Sequence, residues 1–143
     1  DNVLIFFIAL KTQHNLKNYW VFFFLTSSLT SSAYRFSSPF DKNSKIHFQL
    51  ENGKLVTLIH IENEDCGSSL RDEKGFNNRI TTGYFLFMKD SYDELKKSPI
   101  SLMRIKYTTE TVDYIIRKEF KSELDAKTYR PSHYFLDYLK CIE

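Results

Sequence analysis

The sequence predicts a mainly β protein with a helical fringe: an antiparallel β-sandwich or open barrel of about seven to nine strands carrying two short helices. Three observations carry this expectation. Thirteen Phe and nine Tyr raise the aromatic share to 16%, and flat rings pack well on a pleated surface. Alternating apolar runs are separated by short polar stretches, which is the period of half-buried strands. One Asn-Gly pair, Asn52-Gly53, joins two such runs, and tight turns of this kind connect antiparallel strands only.

The chain has 143 residues, a length that suits one domain spanning 1–143 and lets it bury a core without staples. Only four Gly and three Pro are present, so a linker-rich or disordered chain is not expected. The N-terminal third holds two apolar runs. Val3 to Leu10 is far shorter than the roughly 20 residues of a membrane helix and fits either a central or an edge strand. Lys17 to Ala33 has the basic, apolar, then small-residue order of an export signal. It follows another strand-like run, however, and both are read as buried strands. No transmembrane segment is expected. The first residue is Asp1, which suits a chain trimmed of an export signal and equally one cut for expression.

The stretch Lys45 to Ile61 reads as a hairpin. A two-residue turn at Asn52-Gly53 sets Glu51 opposite Lys54 and Leu50 opposite Leu55. One face then carries Ile46, Phe48, Leu50, Leu55, Thr57, Ile59 and Ile61. The other carries Lys45, His47, Gln49, Glu51, Lys54, Val56, Leu58 and His60. Asp65 to Asn78 reads as a long exposed loop, and Arg79 to Met88 as a strand. Ser91 and Glu94 have capping-box spacing for a short helix that stops before Pro99. Ile100 to Glu119 reads as a second hairpin turning at Thr109-Glu110. That turn sets Lys106 opposite Asp113 and puts Met103, Ile105, Tyr107, Val112, Tyr114 and Ile116 on one face. Pro131 opens a C-terminal helix whose Phe135, Leu139 and Ile142, joined by Tyr138, form the docking stripe.

Function classes are narrowed mainly by what is missing. The formal charge is +2 with no block of Lys/Arg, so nucleic acid, which calls for a basic stripe, is not an expected partner. There is no Gly-rich phosphate loop, no His-Glu-x-x-His and no calcium loop, so neither a catalytic residue nor a cofactor is assigned. Three weak candidates remain. In the register above, His47 and His60 share the polar face as diagonal neighbours, roughly 7–8 Å apart at the backbone. Two imidazoles fall short of the three or four ligands of a zinc site, and two solvated histidines are the plainer reading. Cys66 has no placed base to activate it, and Cys66-Gly67-Ser68-Ser69 reads as a turn. Cys66 and Cys141 alone do not make a disulfide framework. Asp90, Asp93 and Glu94 suit the first turn of a helix. Tyr84, Phe85 and Phe87 suit core packing before ligand stacking.

The order of elements also resembles an uncharacterised family of small, often exported proteins from Bacteroidetes bacteria. The resemblance rests on Lys45 to Leu58, the Cys66-Gly67 loop, Gly83-Tyr84-Phe85-Leu86, Ser91 to Leu95, Met103-Arg104-Ile105-Lys106-Tyr107-Thr108-Thr109 and Phe135 to Ile142. It covers about the last two-thirds of the chain and weakens before Tyr34. The chain departs from it at Glu110-Thr111, where the family has Asp-Gly. The resemblance implies a bacterial source and a periplasmic, cell-surface or extracellular location, and it assigns no activity. The expected function is therefore a non-catalytic secreted or envelope-associated binding protein with a protein or glycan partner. The alternatives are a metal-binding protein or hydrolase using His47 and His60, and a structural assembly subunit.

Overall fold

The computed structural model describes residues 3–11, 19–29, 40–61, 68–71, 73, 75, 77–88, 91–123 and 125–142. The strands are β1 (Val3–Lys11), β2 (Tyr19–Leu29), β3 (Lys45–Leu50), β4 (Leu55–His60), β5 (Ser68–Arg71), β6 (Asn77–Phe87), β7 (Ile100–Lys106), β8 (Thr111–Ile115), β9 (Phe120–Lys121) and β10 (Thr128–Tyr129). Helix α1 (Tyr92–Leu95) lies between β6 and β7. Helix α2 (Tyr134–Tyr138) sits between two 3-10 turns, Pro131–His133 and Leu139–Ile142.

The chain is mainly antiparallel β with two short α-helices, as the patterning predicts. Eight strands form one sheet in the order β1-β2-β6-β4-β3-β7-β8, with β5 also on β6, while β9 and β10 make a separate ribbon. No pairing among the described residues joins β1 to β8, so the sheet stays open. The N-terminal run, open between two placements in the sequence, is β1, which among the described residues pairs with β2 alone and ends the strand order. The stretch expected to be one long loop contains β5, which pairs Ser68 to Ile80 and Arg71 to Asn77.

The first hairpin differs from its expected register by one residue. Leu50 faces Lys54 across the turn, donating its N–H to the Lys54 carbonyl at 2.9 Å, and Gly53 N–H bonds back to the Leu50 carbonyl at 3.0 Å. The loop is therefore Glu51-Asn52-Gly53, with Gly53 at φ 83°. This is a type I turn closed by a left-handed residue, the common three-residue loop. The Asn52 side chain accepts from Lys54 N–H at 3.0 Å, which holds the turn. The extra loop residue flips the whole of β4 relative to the two-residue reading. Ile46, Phe48, Leu50, Val56, Leu58 and His60 face the core, and Leu55, Thr57 and Ile59 face outward with His47.

The second hairpin also differs, by two residues. Lys106 faces Thr111 and Arg104 faces Asp113, with Thr108-Thr109 at the turn and Tyr107 N–H bonded to the Glu110 carbonyl at 2.8 Å. A two-residue shift preserves sidedness. Met103, Ile105 and Tyr107 are buried, with Val112, Tyr114 and Ile116 packed against them as expected.

The core lies on one face of the sheet. Phe135 of α2 packs edge-on against Phe48 (ring centroids 5.4 Å apart) and Phe87 (6.2 Å), and Leu139 is buried beside it. Tyr138, expected on the docking stripe, is exposed. Phe40 stacks on Tyr107 and meets Phe85 edge-on. Its ring needs Gly83, where a Cβ would come within 2.9 Å of Phe40 and 2.6 Å of Phe85. The capping box at α1 does not form: Ser91 Oγ turns back to the Met88 carbonyl. Glu94 instead receives Lys54 at 2.8 Å and Lys97 at 3.0 Å, tying α1 to the first hairpin.

Candidate functional site

The outer face of β4, β3, β7 and β8 is organised in three cross-strand rows that follow from the two registers. The first row is Leu55, Gln49, Leu102 and Ile115; the second is Thr57, His47, Arg104 and Asp113; the third is Ile59, Lys45, Lys106 and Thr111. Side chains in such rows stand directly opposite one another and interact across strands.

The first row is apolar apart from Gln49, and its two ends are open to solvent. Leu55 is 68% exposed and Ile115 is 82% exposed. Between this row and the next is a shallow depression of about 480 Å³ lined by His47, Gln49, Gly53, Leu55, Leu102 and Arg104.

The second row is polar and internally satisfied. His47 Nδ1 and Thr57 Oγ1 are 2.9 Å apart. Arg104 clamps Asp113 with two bonds, Nε to Oδ1 at 2.6 Å and Nη2 to Oδ2 at 2.7 Å, the fork geometry that suits guanidinium and carboxylate. Arg104 holds the Asp113 carboxyl below the usual carboxylate range, with partial desolvation opposing it. Partial burial, with the positive charges of Lys45, Arg104 and Lys106, pushes the His47 imidazole down from its ordinary value. His47 is thus a weaker base than an ordinary histidine.

His60 lies on the other side of the sheet. It is buried, between Phe40 and Phe85. Its Nδ1 is 2.9 Å from the Asp41 carbonyl oxygen. A carbonyl only accepts, so Nδ1 carries the proton and the ring anchors the Asp41 turn to β4. The convergence of His47 and His60 expected from the two-residue turn therefore does not occur: the flip of β4 puts them on opposite faces. Among the described residues, no three His, Cys, Asp or Glu side chains gather to hold a metal. Cys66 lies outside the described residues, and the Cys141 thiol is free and exposed. Phe85 and Phe87 pack in the core as expected, whereas Tyr84 is half-buried on the outer side.

Sequence patterning placed Lys45 on the polar face and paired Lys106 with Asp113, where the structure pairs Lys106 with Lys45 and Thr111, and it singled out neither Leu102 nor Ile115. Each looks ordinary in its own strand, and only the correct register of both hairpins brings them into rows. No helix among the described residues is long and apolar enough to cross a membrane. No family model, curated protein or solved structure matches this chain.

Proposed function

We propose that the chain is a non-catalytic binding protein that meets a protein partner on the outer face of β4, β3, β7 and β8. The observation that carries this is the apolar set Leu55, Leu102 and Ile115 in one cross-strand row, whose two ends are largely exposed beside a polar row that is internally satisfied. Exposed apolar side chains grouped on a sheet face serve association more often than solvation. Beside them, His47 has Thr57 as its hydroxyl neighbour but, among the described residues, no carboxylate to orient it, since Asp113 is committed to Arg104. An activated nucleophile needs such a third group. The setting proposed for this role is the envelope or the extracellular space, as the resemblance read from the order of elements would imply.

A photo-crosslinking side chain placed at Ile115, with Lys121 as control position, tests the reading in cells of the source organism. One discrete adduct from position 115, absent from position 121 and lost on Leu55→Lys, is expected. Equal adducts at both positions would overturn the binding face. An adduct between two copies of the chain would turn the reading toward an assembly subunit.

A further inference from the structure

The third outer row holds a charge pairing that the rest of the sheet avoids. Lys45 and Lys106 are direct cross-strand partners. Like charges so placed repel. One row away, the same two strands place Arg104 beside His47, and β8 matches Arg104 to Asp113. Lys45 and Lys106 have no such carboxylate among the described residues. They border a shallow, open cavity of about 440 Å³ at the end of the sheet, which Lys42, Asn43 and Thr108 also line.

One carboxylate, Asp41, borders the cavity, and it is already occupied. Its Oδ1 accepts from Asn43 N–H at 2.9 Å and from Ser44 Oγ at 3.2 Å, and Oδ2 lies 3.5 Å from Asn43 Nδ2. These bonds close a turn that is also fixed by Ser44 N–H on the Asp41 carbonyl at 3.0 Å and by buried His60 on the same carbonyl. The turn carrying Lys42 is therefore preorganised, and preorganisation lowers the ordering cost of binding. Three lysines line the opening, against one carboxylate that is spent on its own turn.

We propose that this cavity binds a single phosphate or sulfate group carried by a small ligand, with Lys42, Lys45 and Lys106 as its charged donors. Ammonium groups are compact point charges that bind such oxyanions through charge-assisted bonds. Binding also relieves the Lys45–Lys106 repulsion, so the anion stabilises the fold that receives it. The polar second row separates the site from the apolar row, and the site does not depend on it: loss of partner binding there leaves the anion site standing.

The test is a titration of the ¹⁵N-labelled protein with inorganic phosphate, and separately with inorganic sulfate, at low and constant ionic strength against a chloride control. Saturable shifts centred on the amides of Asn43, Lys45, Lys106 and Thr108 are expected. Affinity in the double variant Lys45→Gln/Lys106→Gln should fall at least about tenfold, as the loss of two charge-assisted contacts implies. Lys121→Gln, which removes one positive charge away from the cavity, should bind as the parent does. The His47 imidazole supplies a readout of the local field: its titration should move upward on anion binding and upward again in the ligand-free double variant. Saturation by both anions means that the charge selects the ligand, and saturation by phosphate alone narrows the ligand to phosphate esters. Shifts no larger than those with chloride, or equal affinity in the double variant with its spectrum still well dispersed, would overturn the proposal.

Discussion

The β3–β4 and β7–β8 hairpins build the same sheet with turns of different length, and that difference decides which side chains reach solvent. In β3–β4 the turn spends three residues, and Gly53 takes the left-handed conformation at φ 83°. In β7–β8 the turn spends two, Thr108 and Thr109, and neither has positive φ. Both turns set their strands so that the apolar alternation of each faces the core. A single extra residue in the first turn is nonetheless enough to decide whether Leu58 or Leu55 is buried. Turn length acts here as a parity switch: odd changes exchange the faces and even changes slide the rows along one another.

The largest effect expected from this difference is on stability. Leu58 is fully buried against the core and Leu55 is 68% exposed. Leu58→Ala should cost roughly 2–5 kcal/mol, the range for a buried leucine. Leu55→Ala should stay within about 0.5 kcal/mol, as exposed positions do. Urea denaturation of the two variants measures both. The reverse order would restore the two-residue turn and return His47 and His60 to one face.

The comparison also shows what was legible in the sequence and what was not. Strand identity and the alternation of β3, β7 and β8 were legible because burial on one side writes a period of two into the residues. The β4 assignment was not, because Leu55, Val56, Thr57, Leu58, Ile59 and His60 are apolar or ambivalent on both sides, so alternation cannot choose between registers. Asn-Gly then misdirects: it favours a two-residue turn, whereas here Asn52 and Gly53 are the last two residues of a three-residue loop. The second hairpin lacked Gly or Asn at its turn, and its pairing was displaced, but by an even number, so its core face survived the displacement. The outer rows were illegible for the same reason in both hairpins. A row is a property of four strands in register, and no window of one strand contains it.

A smaller effect is expected at the turns themselves. The Gly53 Cβ position is empty, with nothing within 4 Å, so Gly53→Ala meets no clash and its cost is conformational. Holding an L-residue in the left-handed region costs about 1–2 kcal/mol, offset in part by about 0.4–1 kcal/mol from a stiffer unfolded chain. A net loss of about 1 kcal/mol is expected from these two terms. Thr109→Ala in the other turn should cost less, because its backbone is already in the ordinary region. Equal losses in thermal denaturation would mean that the left-handed residue does not set the β3–β4 turn.

The smallest effect separates the hairpins by charge. β7–β8 is crossed by the Arg104–Asp113 clamp, whereas β3–β4 is crossed at the same level by the neutral His47–Thr57 contact. The carboxyl of Asp113 is held below the usual range by its bonds from Arg104. In the unfolded chain an Asp takes up its proton near pH 4 (about 3.9 for the free group), while folded Asp113 resists it. The clamp's contribution is therefore fully present above that pH. It falls away as the pH drops through the folded value, because the unfolded state then binds the proton first. Both groups are exposed, so solvent screens the pair and the contribution is small. Parallel thermal melts of the parent and Asp113→Asn between pH 6 and pH 3 isolate it. The stability gap between them should be steady at the upper end and narrow toward the lower end, and added salt should shrink it throughout. A gap that is constant across the range would mean that the clamp contributes no charge-dependent stability. The β7–β8 hairpin would then be held, like β3–β4, by its turn and its buried face alone.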